Sequence, residues 1–338
     1  MKIGLIGFAG SGKTTVFNAL TGLGVETDGA HDRLHLGVIK VLDARVDLLA
    51  EVFKLKKKVY PEISFIDAAG QERSGLDPKI IQQMRDADAL VHVVRGFNGS
   101  DPARDIMALE DELILSDLVQ IENRISRLKK ERDSARELEL FNRLKSALES
   151  GSPLRELRLS HEELNAIAGF RFMSLKPLLL LLNLSEDQMA SGPKPELLEL
   201  ARSRGLELMA MCGKLEMEIA QLDPQEQREF LEELGMSEPA RDRFIKACYS
   251  LLDLISFLTY NESECRAWPI KRGTTAQKAA GKIHSDIERG FIRAEVVRFD
   301  DLISCGSLSA CRQQGKLRLE GKDYVVQDGD VIHFRFNV

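Results

Sequence analysis

An α/β fold with a mostly parallel sheet is predicted by three observations. Short apolar runs of buried-strand type, the first being Met1-Lys2-Ile3-Gly4-Leu5-Ile6, alternate with stretches of helical periodicity. Directly after that first run, Gly7-Phe8-Ala9-Gly10-Ser11-Gly12-Lys13-Thr14 has the spacing Gly-x-x-x-x-Gly-Lys-Ser/Thr that cradles nucleotide phosphates. From Arg266 onward the texture changes to short strands and glycine-marked turns, which indicates a second, small α+β domain.

The whole chain sets bounds on this reading. Its 338 residues, 30% charged and 43% hydrophobic, have the composition of an ordinary soluble protein with ample material for a core. A net charge of −6 argues against a globally basic nucleic-acid binder and leaves a local basic patch open. The five cysteines are odd in number and include no Cys-x-x-Cys pair, so neither a zinc site nor a disulfide framework is expected, and a reducing cytoplasm is. The N-terminus runs straight into a strand, and the apolar run Leu178 to Leu182 is far too short to cross a membrane.

After the glycine loop, Thr15-Val16-Phe17-Asn18-Ala19-Leu20 places Val16, Phe17 and Leu20 on one helical face. Strand, glycine loop and helix are thus in sequence. The glycines let backbone N–H groups close round phosphates, the helix start favours anions, Lys13 would reach the terminal phosphates, and the Thr14 hydroxyl would hold Mg²⁺. Gly24 to Leu36 reads as a loop, with Thr27 as its one threonine. Gly37 to Val41 reads as a strand, Asp43 to Phe53 as a helix, and Lys54, Lys56, Lys57 and Lys58 as a basic cluster, either a solvated turn or a phosphate contact.

Glu62-Ile63-Ser64-Phe65-Ile66 ends in Asp67-Ala68-Ala69-Gly70, an acid at the carboxyl end of a strand followed by glycine. Asp67 there would support Mg²⁺ through water, and the Gly70 N–H would meet the γ-phosphate. Gln71 follows, where it either orients the attacking water or is simply an exposed polar residue. In the next strand, Ala89 to Arg95, His92 is expected to be a hydrogen-bonded structural histidine.

The distance from Asp67 to Asn183 far exceeds the roughly 30 residues that one strand–helix–strand unit needs. Ile114, Leu118, Ile121, Ile125 and Leu128, then Leu138, Phe141, Leu144 and Leu148, therefore read as two helices of an inserted coiled-coil-like arm. Its basic residues, Arg124 to Arg132, either touch a polyanion or lie on a solvated face. The sheet returns at Leu178 to Leu182, leading to Asn183-Leu184-Ser185-Glu186, and ends with Leu206 to Met211 before Cys212-Gly213-Lys214-Leu215. Loops at the carboxyl ends of parallel strands converge on a ligand. In the last domain, Thr274 with Gln277 reads as a capping box, and Lys322 to Val326 with Val331 to Phe336 as a hairpin.

These motifs in this order resemble the YchF subfamily of Obg-like P-loop ATPases over essentially the whole chain. The resemblance is strongest in Arg266-Ala267-Trp268, Ile270 to Thr275, Gly290 to Val296 and Gly315 to Tyr324, and it extends to Phe17-Asn18-Ala19-Leu20-Thr21 and Asn183-Leu184-Ser185-Glu186. It implies a P-loop G domain over 1–255, interrupted by a helical coiled-coil arm over 105–172, and a β-grasp TGS domain over 256–338. It also implies ATP hydrolysis preferred over GTP hydrolysis, Mg²⁺ as cofactor, and the ribosome or its RNA as partner, with neither DNA nor membrane. The nucleotide-contacting set it implies is Gly10, Ser11, Gly12, Lys13, Thr14, Thr15, Gly70, Asn183, Glu186 and Leu215, with Thr14 and Asp67 at the metal and Lys13 and Gln71 in catalysis.

Asn183-x-x-Glu186 lacks both the Lys and the Asp of the guanine-selective Asn-Lys-x-Asp, so guanine selection is expected to be weak. Three departures stand out: Gly10 replaces the family's Asn in the phosphate loop, His31 occupies the place of its switch-one Thr, and Gln71 replaces a hydrophobic residue. Two alternatives remain open, a ribosome- or RNA-binding adaptor with vestigial hydrolysis, and a GTPase.

Overall fold

The computed structural model describes residues 1–25, 34–68, 78–131, 135–233, 236 and 238–337. Two compact units emerge, one of residues 1–39 and 64–247 and the other of 40–63 and 248–338.

The first apolar run is strand β1, Lys2–Ile6, and the glycine loop leads from it into helix α1, Lys13–Thr21; strand β2 is Leu34–Lys40. Helix α2, Ala44–Val52, and strand β3, Lys57–Val59, belong to the second unit. The first unit resumes through β4, Glu62–Ala68, α3, Pro78–Met84, and β5, Ala89–Arg95. It continues through α4, Pro102–Leu128, α5, Ala135–Glu149, α6, His161–Ile167, β6, Leu178–Asn183, α7, Glu186–Met189, α8, Pro195–Ser203, and β7, Glu207–Met211. Helices α9, Gly213–Ile219, α10, Pro224–Glu233, and α11, Ala240–Leu251, follow.

The sheet of this unit has the order β2-β4-β1-β5-β6-β7, and β4, β1, β5, β6 and β7 run parallel. Strand order reverses at β1, which lies between β4 and β5, so a crevice opens beyond the carboxyl end of β1. Ile6, Leu90, Val94, Leu180 and Leu182 pack on one face against Ile106, Leu109 and Leu113 of α4 and Leu197 of α8. These strands are buried on both faces, which is why they read as near-continuous apolar runs.

The inserted arm forms as its periodicity predicts. Asp101 caps α4 by accepting from the Arg104 N–H at 3.1 Å, and Pro102 occupies the first turn, where its missing N–H costs nothing. Ile121, Ile125 and Leu128 meet Phe141, Leu144 and Leu148 of α5, and the stacked rings of Phe170 and Phe172 lie 5.3 Å apart in the same core. Arg124, one of the arm's basic residues, is held by Glu131 and by a bidentate pair with Glu137, so its charge is already balanced within the arm.

In the second unit, β8 is Leu254–Tyr260, β9 Glu264–Lys271, α12 Ala276–Ile283, α13 Ser285–Arg289, β10 Phe291–Arg298, α14 Phe299–Cys305, α15 Leu308–Gln313, β11 Arg318–Glu320 and β12 Asp330–Phe336. Their sheet has the order β11-β10-β12-β8-β9-β3. Ala276, Ala279 and Ala280 of α12 cover one face over Phe257, Val296 and Phe334. Val46 and Leu49 of α2 join the opposite core with Leu258, Val297, Leu302 and Cys311.

Three local expectations change here. Residues 40–63, placed in the N-terminal domain by sequence order, sit in the second unit: β3 pairs in parallel with β9, and Lys57 and Lys58 of the basic cluster are bonded to Glu264 and Asp47. The expected hairpin is absent, because β12 pairs with β10 and β8, while the Tyr324 hydroxyl and the Gln327 N–H both donate to Asp330 and fold residues 324–327 back as a loop. The capping box is also absent. Thr274 donates its hydroxyl to the Lys271 carbonyl, Gln277 donates to the Glu288 carbonyl, and α12 begins after Thr275.

No helix among the described residues is long and apolar enough to cross a membrane.

Candidate functional site

The crevice at the end of β1 is filled by the glycine loop. Gly12 ends that loop in the left-handed region at φ 87°, and a Cβ there would strike the Asn183 side-chain nitrogen. Glycine at this point therefore serves both the turn and the approach of β6. The first backbone bond of α1 runs from the Val16 N–H to the Gly12 carbonyl at 2.9 Å. The amides of Lys13, Thr14 and Thr15 thus have no partner within the helix and present donors to an anion.

Lys13 is buried, and its Nζ donates to the carbonyls of Gly7 at 2.9 Å and Phe8 at 3.1 Å. Burial pushes its pKa down to about 8, and the nearby Asp67 carboxylate opposes that fall. Between about pH 8 and the ordinary value of 10.5 the unfolded chain holds this proton more readily than the folded one. The ligand-free protein is therefore expected to gain stability from this group as pH rises through that window. Urea denaturation at both ends of the window should show the gain, and the Lys13→Met variant should lack it.

Asp67, at the end of β4, is fully buried. Its Oδ2 accepts from the Thr14 hydroxyl at 3.0 Å and lies 3.5 Å from Nδ1 of His35 on β2, whereas its Oδ1 has no hydrogen-bond partner among the described residues. A buried carboxylate oxygen without a partner is costly unless a cation meets it. The hard oxygen donors of Thr14 and Asp67 suit Mg²⁺, so the residues present fit that ion. Sequence reasoning placed His35 in the loop from Gly24 to Leu36, but β2 already begins at Leu34 and carries the ring to Asp67.

Asn183, at the end of β6, bridges two loops. Its Nδ2 donates to the Ser11 carbonyl at 3.0 Å, and its Oδ1 accepts from the Gly213 N–H at 3.0 Å. The phosphate loop, the Asn183 loop and the start of α9 are thereby fixed as one surface. Leu215 is buried in α9, and Glu186 points outward, paired with Lys214 at 3.1 Å. The loop from Gly10 to Thr15, Asp67 and Asn183 are thus brought together, while Leu215 packs two residues beyond Gly213 with Cys212 and Ile219, and Glu186 lies exposed beside Lys214. Gly70 and Gln71 lie outside the described residues, as do Thr27 and His31.

His92 differs from expectation. It is fully buried in β5, its ring nitrogens have no hydrogen-bond partner among the described residues, and burial, aided by Lys13, pushes its pKa down to about 3. It acts as a neutral packing group, edge-on to Phe8 with ring centroids 6.5 Å apart.

Comparison with known proteins accords with this geometry. The family described as 50S ribosome-binding GTPase matches residues 2–129, and the YchF-GTPase_C family, described as a protein of unknown function, matches residues 254–337. The chain is 40% identical to a Bacillus subtilis protein named ribosome-binding ATPase YchF over 100% of both chains. It is also 40% identical to the Pasteurella multocida protein of the same name, over 100% of this chain and 99% of that one. Among solved structures, the Schizosaccharomyces pombe YchF GTPase superposes with a TM-score of 0.87 at 26% identity, covering 99% of this chain and 97% of that one.

Proposed function

This chain belongs to the YchF family, and on that premise we propose that it is an Mg²⁺-dependent P-loop hydrolase that prefers ATP to GTP, forms ADP and phosphate, and acts as a cytoplasmic switch on the ribosome. The ribosome or its RNA is the macromolecular partner, and residues 256–338 form its TGS domain. One observation carries the hydrolase reading: buried Lys13, the Thr14 hydroxyl and the buried Asp67 carboxylate meet at the carboxyl ends of β1 and β4.

In this reading Lys13 and the amides from Gly10 to Thr15 stabilise charge on the β- and γ-phosphates. Thr14 and, through water, Asp67 would hold Mg²⁺, which when bound would supply positive charge against the phosphates. The Gly70 N–H meets the γ-phosphate and Gln71 orients the attacking water.

The preference for ATP rests on Asn183-Leu184-Ser185-Glu186. The acid that could accept from guanine N1 and N2 is a longer glutamate turned to Lys214, while Asn183 and the Leu215 backbone are left to meet adenine. Calorimetric titration of ATP and GTP in the presence of Mg²⁺ tests this. Tighter ATP binding is expected, and tighter GTP binding would sink the reading of Asn183 and Glu186.

A further inference from the structure

We propose that Arg95 is a further catalytic residue of this site, a cation held beside the phosphate loop to neutralise charge as the terminal phosphate leaves; the inference rests on the hydrolase reading above. Arg95 is the last residue of β5 and stands in register with Asn183 of the parallel neighbour β6. Residues in register on adjacent strands project from the same face. Asn183 reaches the loop at Ser11, and Arg95 reaches it one residue earlier: a Cβ built on Gly10 would lie 3.7 Å from the Arg95 Nη1.

The guanidinium is held in place and yet uncommitted. Its Nε donates to the Phe97 carbonyl at 3.3 Å, its Cζ sits 5.1 Å from the Phe97 ring centroid, and the Ser100 hydroxyl donates to the Arg95 carbonyl at 2.7 Å. Among the described residues, Nη1 and Nη2 donate to nothing, and the Asp105 carboxylate of α4 feels the charge of Arg95 without forming an ion pair with it. A half-buried guanidinium normally finds a carboxylate, because its planar fork matches two oxygens at once. Here both stem and plane are fixed, while the fork makes no hydrogen bond among the described residues and lies beside a loop built for phosphates. Gly10, at φ 74° and without a side chain, keeps the space between fork and loop open.

During hydrolysis the bond from water oxygen to the γ-phosphorus forms as the bond to the bridging oxygen breaks. The water proton passes to the released phosphate, and negative charge grows on the bridging oxygen of the departing ADP. Lys13 meets this charge from one limb of the loop. Arg95 meets it from the Gly10 limb, as an arginine supplied within the same chain. The residue was visible in sequence only as the polar end of an apolar run, in the same position as Asp67 and Asn183 on their strands.

The test compares the full-length protein with Arg95→Ala and Arg95→Lys, measuring ATP turnover, ATP affinity and thermal melting. Arg95→Ala is expected to lose about 10²-fold in kcat, with ATP affinity within about threefold and an unchanged melting temperature. Arg95→Lys, which keeps the charge, should be intermediate. Millimolar guanidinium chloride should restore part of the rate to Arg95→Ala and none to Lys13→Met, a rescue that a purely structural brace would not show. Undiminished kcat in Arg95→Ala beside an active unsubstituted protein overturns this inference alone, and so does a lost kcat that tracks lost affinity and resists rescue. Absence of turnover in the unsubstituted protein overturns the hydrolase reading and takes this inference with it.

Discussion

Replacing Lys13 by methionine is expected to lower ATP turnover by roughly 10²- to 10³-fold, the loss typical of one preorganised donor to developing charge. Methionine keeps the length and most of the apolar stem, so the buried channel that holds Lys13 stays filled. What disappears is the ammonium group now held by the Gly7 and Phe8 carbonyls. Those carbonyls hold the head in the ligand-free loop, and phosphate oxygens compete for it on binding. The partly depressed pKa means that the ligand-free site carries its positive charge reluctantly near pH 8 and gains most when an anion arrives. Single-turnover hydrolysis with labelled ATP measures the effect, and a variant that still turns over at the unsubstituted rate would remove Lys13 from the mechanism.

The second large effect is expected at Asp67. Asp67→Asn preserves shape and leaves an oxygen to accept the Thr14 hydroxyl, but it removes the charge from the buried carboxylate. Loss of a group that supports a metal indirectly costs about 10- to 100-fold in metal affinity or activity. The increment in nucleotide affinity contributed by Mg²⁺ should therefore shrink by that factor, while nucleotide binding in EDTA stays as in the unsubstituted protein. Paired titrations with and without Mg²⁺ read the difference. An equal loss in both conditions would show that Asp67 shapes the loop and does not serve the ion.

Much of this arrangement was legible in the sequence because it follows from strand ends. Buried parallel strands announce themselves as apolar runs, and the polar residue that ends each run, Asp67 or Asn183, is thereby placed at the crevice. The contacts that finish the site were not legible. His35 approaches Asp67 across the sheet, and Asn183 reaches Ser11 across 172 residues of chain. Such encounters depend on strand order, which local periodicity does not encode. The same reason explains the misplaced segment 40–63: its helix and strand were recognisable as elements, but their partners lie in the last third of the chain. The hairpin expected around Gln327 to Asp330 failed differently. A local turn signal was present, yet β12 found better partners in β10 and β8, and tertiary pairing overrode the turn.

The assignment of α2 and β3 to the second unit has a consequence for how the chain is made. Cys265 bonds to the Lys57 carbonyl across 208 residues. At roughly 5–20 residues per second of synthesis, residues 40–63 leave the ribosome tens of seconds before β9 exists to receive them. Through that interval the apolar face carrying Val46 and Leu49 has no core to enter, and the edge of β3 has no strand beside it. The lysines of the Lys54 to Lys58 run keep this waiting segment soluble and unattractive to other strand edges. The second unit is thus completed last, after the phosphate loop and its sheet have already been translated, although one of its strands is among the first segments to emerge.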